Sequence, residues 1–217
     1  MTHYDYASED LRIKRTHKLV LEALLDQTVQ KGFAALTVSD ITKHAGINRA
    51  TFYRHFRDKF DLLDHYAQAV NELLDVPPEV GPQKPNKMGA NQIYQGLIRV
   101  VDHIRANAKF YRVMLGKNGD PAFTNKIRQY IEKRIRRSLP TGLQNDEMSI
   151  DLYVCYSSSA SLGAILWWLE HDMPYSSEAM VAILHQLEAG NLKAMLGHVA
   201  SQRQSSVPTS PSSGNSL

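Results

Sequence analysis

The chain has 217 residues, 43% of them hydrophobic and 22% charged, and a formal net charge of +3 at pH 7. That is the make-up of a globular protein with a real core, long enough for one large domain or a small domain beside a larger one. A lone cysteine, Cys155, excludes an internal disulfide, the start Met1-Thr2-His3-Tyr4-Asp5 lacks the basic and apolar regions of a secretory leader, and the longest apolar or glycine run, residues 162–169, is too short to span a bilayer. The expectation is a cytoplasmic protein with no membrane partner.

Charge is unevenly placed. Residues 1–75 hold ten Lys and Arg against eleven Asp and Glu, residues 84–140 thirteen against three, and residues 141–217 two against seven. The basic excess therefore sits in the middle of the chain.

In chain order, Leu19, Val20, Ala23, Leu24 and Val29 recur at helical spacing within residues 11–31, and Gly32 follows as a C-cap. Thr37-Val38-Ser39-Asp40 has the capping-box form and opens a short helix that carries Ile41 and stops at Gly46. Asn48 caps a third helix reaching Phe56, and Asp58 caps a fourth that runs to Asp75 with Phe60, Leu63, Tyr66, Ala67 and Val70 on one face. Four prolines and two glycines within residues 76–90 mark a boundary. Beyond it the pattern predicts helices at 90–108, 109–115, 121–139, 146–171 and 176–197, the third with Asp120 as N-cap and Pro121 at its first position. No segment alternates like a strand. Residues 201–217, rich in Ser, Pro, Gln and Gly, are expected to be disordered.

The expected fold is all-α, with about nine helices: a small helical domain over residues 9–75, a connecting loop at 76–90, and a larger helical domain over 91–200.

Residues 37–59, TVSDITKHAGINRATFYRHFRDK, carry the functional signal. Two short helices meet across a turn in which Ala45 is small, Gly46 permits a left-handed backbone and Ile47 anchors into the core. In the second helix Phe52 and Phe56, four apart, can bury together and leave Arg49, Thr51, Tyr53, Arg54 and His55 largely outside. Arg can bond bidentately to guanine, while Thr, Tyr and His offer donors to phosphate oxygens. Lys59, in the first turn of the next helix, is placed to meet phosphate, and Arg12, Lys14, Arg15 and Lys18 form a local basic cluster, so positive charge at the contact face does not depend on net charge.

These residues resemble the TetR family of bacterial regulators: an apolar first helix, a turn like Ala45-Gly46-Ile47-Asn48, an aromatic pair like Tyr53 and Phe56, then Lys59 and Leu62-Leu63. The resemblance covers residues 15–63 and implies that residues 9–75 form a three-helix DNA-binding domain with a helix-turn-helix and residues 91–200 a helical effector and dimerisation domain. It implies base contacts for Arg49, Ala50 and Arg54 and phosphate contacts for Asn48, Thr51, Tyr53, His55 and Lys59, with Thr37 completing the DNA-binding set. The run Leu162-Gly163-Ala164-Ile165-Leu166-Trp167-Trp168-Leu169-Glu170, followed by Met173-Pro174-Tyr175-Ser176, resembles a C-terminal subtype found in some TetR-like regulators, including ones near dihydroxyacetone metabolism. It implies that the last two helices form half of a four-helix dimer interface.

The small residues Ser157 to Ser159, Ala160, Ser161, Gly163 and Ala164 would let another helix approach closely, and Met180, Ile183, Leu184, Leu187 and Leu192 form an apolar stripe. The candidate dimer contacts are Ala160, Ala164, Trp168, Met180, Ile183, Leu184 and Leu187. Intramolecular packing is the competing reading. A ligand pocket is expected where Tyr94, Ile98, Phe110, Tyr111, Met114, Phe123, Ile127, Tyr130, Tyr153 and Tyr156 converge, since tyrosines join an apolar body to a polar tip; a plain core is the alternative. In the basic helix 121–139, Ile127, Ile131, Ile135 and Leu139 form the inner stripe and the cations are expected to be mostly solvated, with an anionic effector, or extra contact with DNA or an acidic partner, as the sharper alternative.

Metal, nucleophile and nucleotide signatures are missing, so neither an enzyme nor a cofactor is expected, and Cys155 is expected to pack as inert core. The function expected is a dimeric, effector-released repressor on a pseudo-palindromic double-stranded operator, the effector being a small molecule or a protein. The alternatives are an adaptor controlled by a protein co-regulator, or an activator, without a small-molecule pocket.

Overall fold

The computed structural model describes residues 6–74, 90–117, 119–139 and 147–205, and the regular structure among them is entirely helical. The helices are α1 (Tyr6–Lys31), α2 (Val38–Ala45), α3 (Arg49–His55), α4 (Lys59–Glu72), α5 (Ala90–Ala106), α6 (Ala108–Leu115), α7 (Pro121–Ser138), α8 (Glu147–Glu170) and α9 (Ser177–Ser205). Two ends differ from expectation. α1 begins five residues before position 11, because no glycine or proline in that stretch interrupts it. α9 continues through residues 201–205, the first part of the expected disordered tail; Gln202, Arg203 and Gln204 are good helix formers, and extending a helix is far easier than starting one. The rest of that tail lies outside the described residues, as does the expected 76–90 connection apart from Ala90, which already belongs to α5.

Local chemistry fixes the ends. Asp120 accepts from the Phe123 amide at 2.8 Å ahead of Pro121, and Asp58 accepts from the amides of Phe60 and Asp61, both at 2.8 Å. α1 buries Val20, Ala23, Leu24, Gln27 and Thr28, a stripe with the 3–4 spacing of one helix face.

One buried cluster continues from Val20 and Leu24 on α1 through Phe52 on α3 and Leu62 and Tyr66 on α4 to Tyr111 on α6, Phe123 on α7 and Trp168 on α8. A smaller one joins Ile135 of α7 to Tyr153 and Val154 of α8, flanked by Leu192 and Met195 of α9. α4 belongs to both ends of the molecule. Its Asp64 pairs with Lys126 of α7 at 2.8 Å, and the Leu73 carbonyl just beyond its end accepts from Arg99 Nε of α5 at 3.1 Å.

Three features of α8 depart from expectation. Ser157, Ser158 and Ser161 are buried inside the protomer, where their small size admits α7 and α9 instead of a partner chain. There Arg134 of α7 pairs with Glu188 of α9 at 2.6 Å, and Glu188 also accepts from the Ser161 hydroxyl at 3.1 Å, while the Tyr153 hydroxyl donates to the Glu188 carbonyl at 3.0 Å. Cys155, expected in the core, is exposed, because the inward face of the helix runs through Val154, Ser158, Ser161, Ile165 and Trp168. α8 is also the one helix among the described residues long and apolar enough, by length and composition, to cross a membrane; its buried side forms core and polar contacts with α7 and α9.

Gly96 of α5 faces the end of α4 so closely that a Cβ there would lie 2.6 Å from the Leu74 carbonyl oxygen and 3.0 Å from its Cα. Gly96→Ala is expected to lower stability by about 1–3 kcal/mol through overpacking, read from the urea midpoint at unchanged slope; an unaltered midpoint would contradict this approach of α5 to α4.

Candidate nucleic-acid interface

The turn between α2 and α3 is built from local hydrogen bonds. Thr37 accepts from the Asp40 amide at 3.2 Å while Asp40 accepts from the Thr37 amide at 3.1 Å and from its hydroxyl at 2.7 Å, a complete capping box. Lys31, at the end of α1, donates to Asp40 at 2.6 Å. The hydrogen bond from Lys31 first, then those from Thr37, hold the Asp40 carboxyl at a pKa of about 2. At the other end of α2, Gly46 takes φ +65°, a left-handed conformation that glycine adopts without the steric cost of a Cβ, and Ile47 N–H returns to the Thr42 carbonyl at 3.0 Å.

α3 then presents two faces. Phe52 is fully buried and Phe56 nearly so, with ring centroids 5.5 Å apart. Asn48, Arg49, Ala50, Tyr53 and Arg54 are exposed, and Thr51 is half-buried. Asn48 accepts from the Ala50 amide at 2.9 Å, so its side-chain oxygen serves as the N-cap while its one amide nitrogen carries two donors for a further acceptor. Arg49 donates to the Tyr53 hydroxyl at 3.2 Å, which ties two exposed side chains one turn apart.

Two residues of the expected DNA set are occupied differently. Lys59 donates to three main-chain carbonyls, those of Phe33 at 2.8 Å, Ala34 at 3.0 Å and Leu36 at 2.8 Å, and its ammonium lies 4.8 Å from the centre of the Phe33 ring. An ammonium has three donors, so this one is a clasp between the start of α4 and the α1–α2 connection. His55 is half-buried, its ring edge-on to His17 of α1 at 5.0 Å. His17 also meets Phe56 at 4.9 Å, and its Nε2 is buried without a partner. Burial first, then the neighbouring His55 and His65, lowers its pKa. His17 carried no sequence signal, because one histidine among nine scattered ones cannot be told apart before the helices meet.

Eight of the ten expected pocket residues meet in the main core, and Tyr153 and Tyr156 lie apart from it. Tyr111, Met114 and Phe123 are packed in the main core, where Phe110, Tyr111 and Phe123 contact one another ring to ring at 5.4–6.3 Å. Ile98, Ile127 and Tyr130 lie half-buried against that core; Tyr94 does too, its ring beside His185 of α9 and its hydroxyl donating to the Glu178 carbonyl at 3.4 Å. Tyr153 sits in the smaller cluster, and Tyr156 is 56% exposed on the outer side of α8. An open cleft of about 400 Å³ lies elsewhere, along α7, lined by Gln129, Glu132, Lys133, Arg136 and Arg137.

The expected dimer residues also divide. Trp168 and Met180 are inside the protomer, Trp168 Nε1 donating to the Tyr175 carbonyl at 3.0 Å, and Ala164 and Leu184 are half-buried. Ala160, Ile183 and Leu187 face outward, alongside Met148, Leu152, Tyr156 and Trp167 on α8. Met148, Leu152, Tyr156 and Ala160 of α8 recur every fourth position and Trp167 follows seven further on, about two turns, so they lie along one side of the helix.

With this geometry in place, comparison with known proteins is informative. Residues 20–66 match the family described as bacterial regulatory proteins, tetR family, and residues 91–189 match a transcriptional regulator C-terminal region. The HTH-type transcriptional regulator YxbF of Bacillus subtilis (strain 168) is 40% identical over 68 residues, 30% of this chain and 18% of that protein. YdeS of the same organism is 34% identical over 67 residues, 30% of this chain and 34% of that one. The matches therefore span about a third or less of these relatives. Among solved structures, the dihydroxyacetone kinase operon activator DhaS aligns with a TM-score of 0.59 at 17% identity, over 82% of this chain and 97% of that one. A TetR transcriptional regulator from Streptococcus agalactiae 2603V aligns at 0.57 and 19%, over 85% and 99%. At such identities these structures share the fold.

Lys59→Met leaves three carbonyls without their donor and is expected to destabilise by about 1–3 kcal/mol, read by urea unfolding. The slope of log affinity for DNA against log salt should stay as in the unaltered protein; a slope shallower by about 0.9 would mean that Lys59 meets a phosphate after all.

Proposed function

The chain belongs to the TetR family of DNA-binding transcriptional regulators, and we propose that it is a cytoplasmic, dimeric repressor that binds a pseudo-palindromic operator and is released by an effector. The observation that carries the proposal is the outer face of α3, where Arg49, Tyr53 and Arg54 project from a short helix anchored by Phe52 and Phe56. On this reading Arg49, Ala50 and Arg54 meet base edges in the major groove. Asn48, Thr51 and Tyr53 hold phosphates, with Thr37 at the start of α2 in support. One short reading helix offers few contacts, and a two-fold dimer doubles them across a palindrome. The apolar stripe of Leu152, Tyr156, Ala160 and Trp167 on α8, with Ile183 and Leu187 on α9, is the surface we assign to the partner protomer.

One observation favours a second reading, an activator or an adaptor controlled by a protein co-regulator. The central aromatics fill a core with one another, as they would where no small molecule enters, and the fold neighbour DhaS is described as an operon activator.

Selection of bound sequences from random duplex DNA is expected to return two inverted half-sites whose centres lie about one helical turn or a multiple apart. Arg49→Ala combined with Tyr53→Ala should abolish that selection while leaving the fold intact. Recovery of the same site by the double variant would overturn the assignment of α3. Leu152→Glu with Leu187→Glu is expected to give monomers in sedimentation and to weaken binding to the full site far more than to a half-site; persistence of the dimer would remove these faces from the interface.

A further inference from the structure

The cleft along α7 is lined by Gln129, Glu132, Lys133, Arg136 and Arg137, which are spaced three and four apart and so share one face of the helix. Three of the five are cations and one is an anion. Part of this charge is already matched. Glu132 accepts from Arg128 at 3.4 Å and from the Ser158 hydroxyl at 3.5 Å, and Arg136 pairs with Asp151 of α8. Lys133 and Arg137 are exposed and have no carboxylate partner among the described residues. Four apart on one face, with β-carbons about 5–6 Å from each other, they repel. The dipole of α7 favours Arg136 and Arg137 in its last turn, yet it leaves Lys133 unmatched one turn earlier. The cleft therefore keeps a surplus of two positive charges.

We propose that this cleft binds a small dianion of phosphate or carboxylate chemistry and that this molecule is the effector. The proposal rests on the reading of the chain as an effector-released DNA-binding regulator.

The cleft volume of about 400 Å³ lies within the range of small-molecule sites, about 300–1,000 Å³. The central aromatics fill their core with one another, and the cleft places the effector on the surface of α7 instead. The planar forks of Arg136 and Arg137 match the paired oxygens of a carboxylate or a phosphate, Lys133 adds a compact charge, and Gln129 offers amide donors. A dianion seated there neutralises Lys133 and Arg137 and competes with Asp151 for Arg136, which alters how α7 is held against α8. The same helix reaches the head. Lys126, ten residues before Arg136 and about 15 Å along the helix, pairs with Asp64 of α4 at 2.8 Å, and Phe123 enters the core that α4 shares. Release from DNA then needs only a difference in dianion affinity between the two arrangements of α7.

The test titrates the full chain with pyrophosphate and, separately, with citrate, at an ionic strength held constant by potassium chloride, and follows amide and arginine Nε signals by NMR. Saturable shifts at residues 129–137 are expected with at least one probe, with affinity at least tenfold weaker in Lys133→Gln combined with Arg137→Gln. Both side chains are exposed and glutamine is a good helix former, so this variant is expected to fold. Saturation by pyrophosphate alone assigns the site to phosphates, by citrate alone to carboxylates, and by both to their shared charge. No saturation by either probe, shifts of equal size at Arg12 and Arg15, or shifts unchanged in the double variant would mean an adventitious ion only and overturn the site. On a fluorescent duplex carrying the selected sequence, the saturating probe is expected to lower wild-type affinity about fivefold or more and to leave the variant unchanged. An unaltered or raised affinity, or an equal fall in both proteins, would overturn the effector role. Absence of DNA binding with and without the probe would instead overturn the functional reading, with the NMR arm still deciding the site.

Discussion

Everything in this molecule hangs on the burial of one side of α4. Leu62, Leu63, Tyr66, Ala67 and Val70 are almost wholly removed from water, and each is worth on the order of 1.5–3 kcal/mol against exposure, less for alanine. The same five side chains complete the core of the small N-terminal bundle and the core of the larger domain, which is why the two cores form one cluster. A helix shared in this way cannot shift against one partner without disturbing the other, so the packing of α3 is tied through α4 to that of α5, α6 and α7.

The head is set on α4 by directional contacts as well as by burial. Lys59 fastens the first turn of α4 to the carbonyls after α1, Lys31 and Thr37 fasten the start of α2, and Phe52 and Phe56 seat α3. These contacts engage Lys59, Lys31 and Thr37 and turn Phe52 and Phe56 inward, which leaves Arg49, Tyr53 and Arg54 on the outward face of α3. Preorganisation of that kind matters for a helix of seven residues, which has little stability of its own.

The basic middle of the chain has a structural explanation. Lys126 pairs with Asp64, Arg134 with Glu188 and Arg136 with Asp151, so α7 uses these cations to tie together α4, α8 and α9, while Arg128 pairs with Glu132 within α7. Arg134 and Glu188 are the least exposed of these, and the hydroxyl of Ser161 completes their hydrogen bonding. Of the six cations of α7, Lys126, Arg134 and Arg136 cross-link it to other helices, Arg128 pairs within α7, and Lys133 and Arg137 are exposed as expected of a solvated face.

The sequence by itself determined the helices, their caps and the reading motif, because those depend on neighbours within a few positions. Thr37 with Asp40, the left-handed Gly46, Asn48, and Phe52 with Phe56 all act over one or two turns. Only the tertiary structure decided what a helix face meets. Trp168 turned inward to reach the Tyr175 carbonyl, Tyr156 and Cys155 turned out, Lys59 was claimed by carbonyls 23 to 26 residues earlier in the chain, and Tyr66, His103 and Tyr111 came together across 45 residues. Periodicity states that a helix has a buried side; which of two adjacent stripes is buried, and which hydroxyl or ammonium finds a partner there, follows from the packing of all the helices at once.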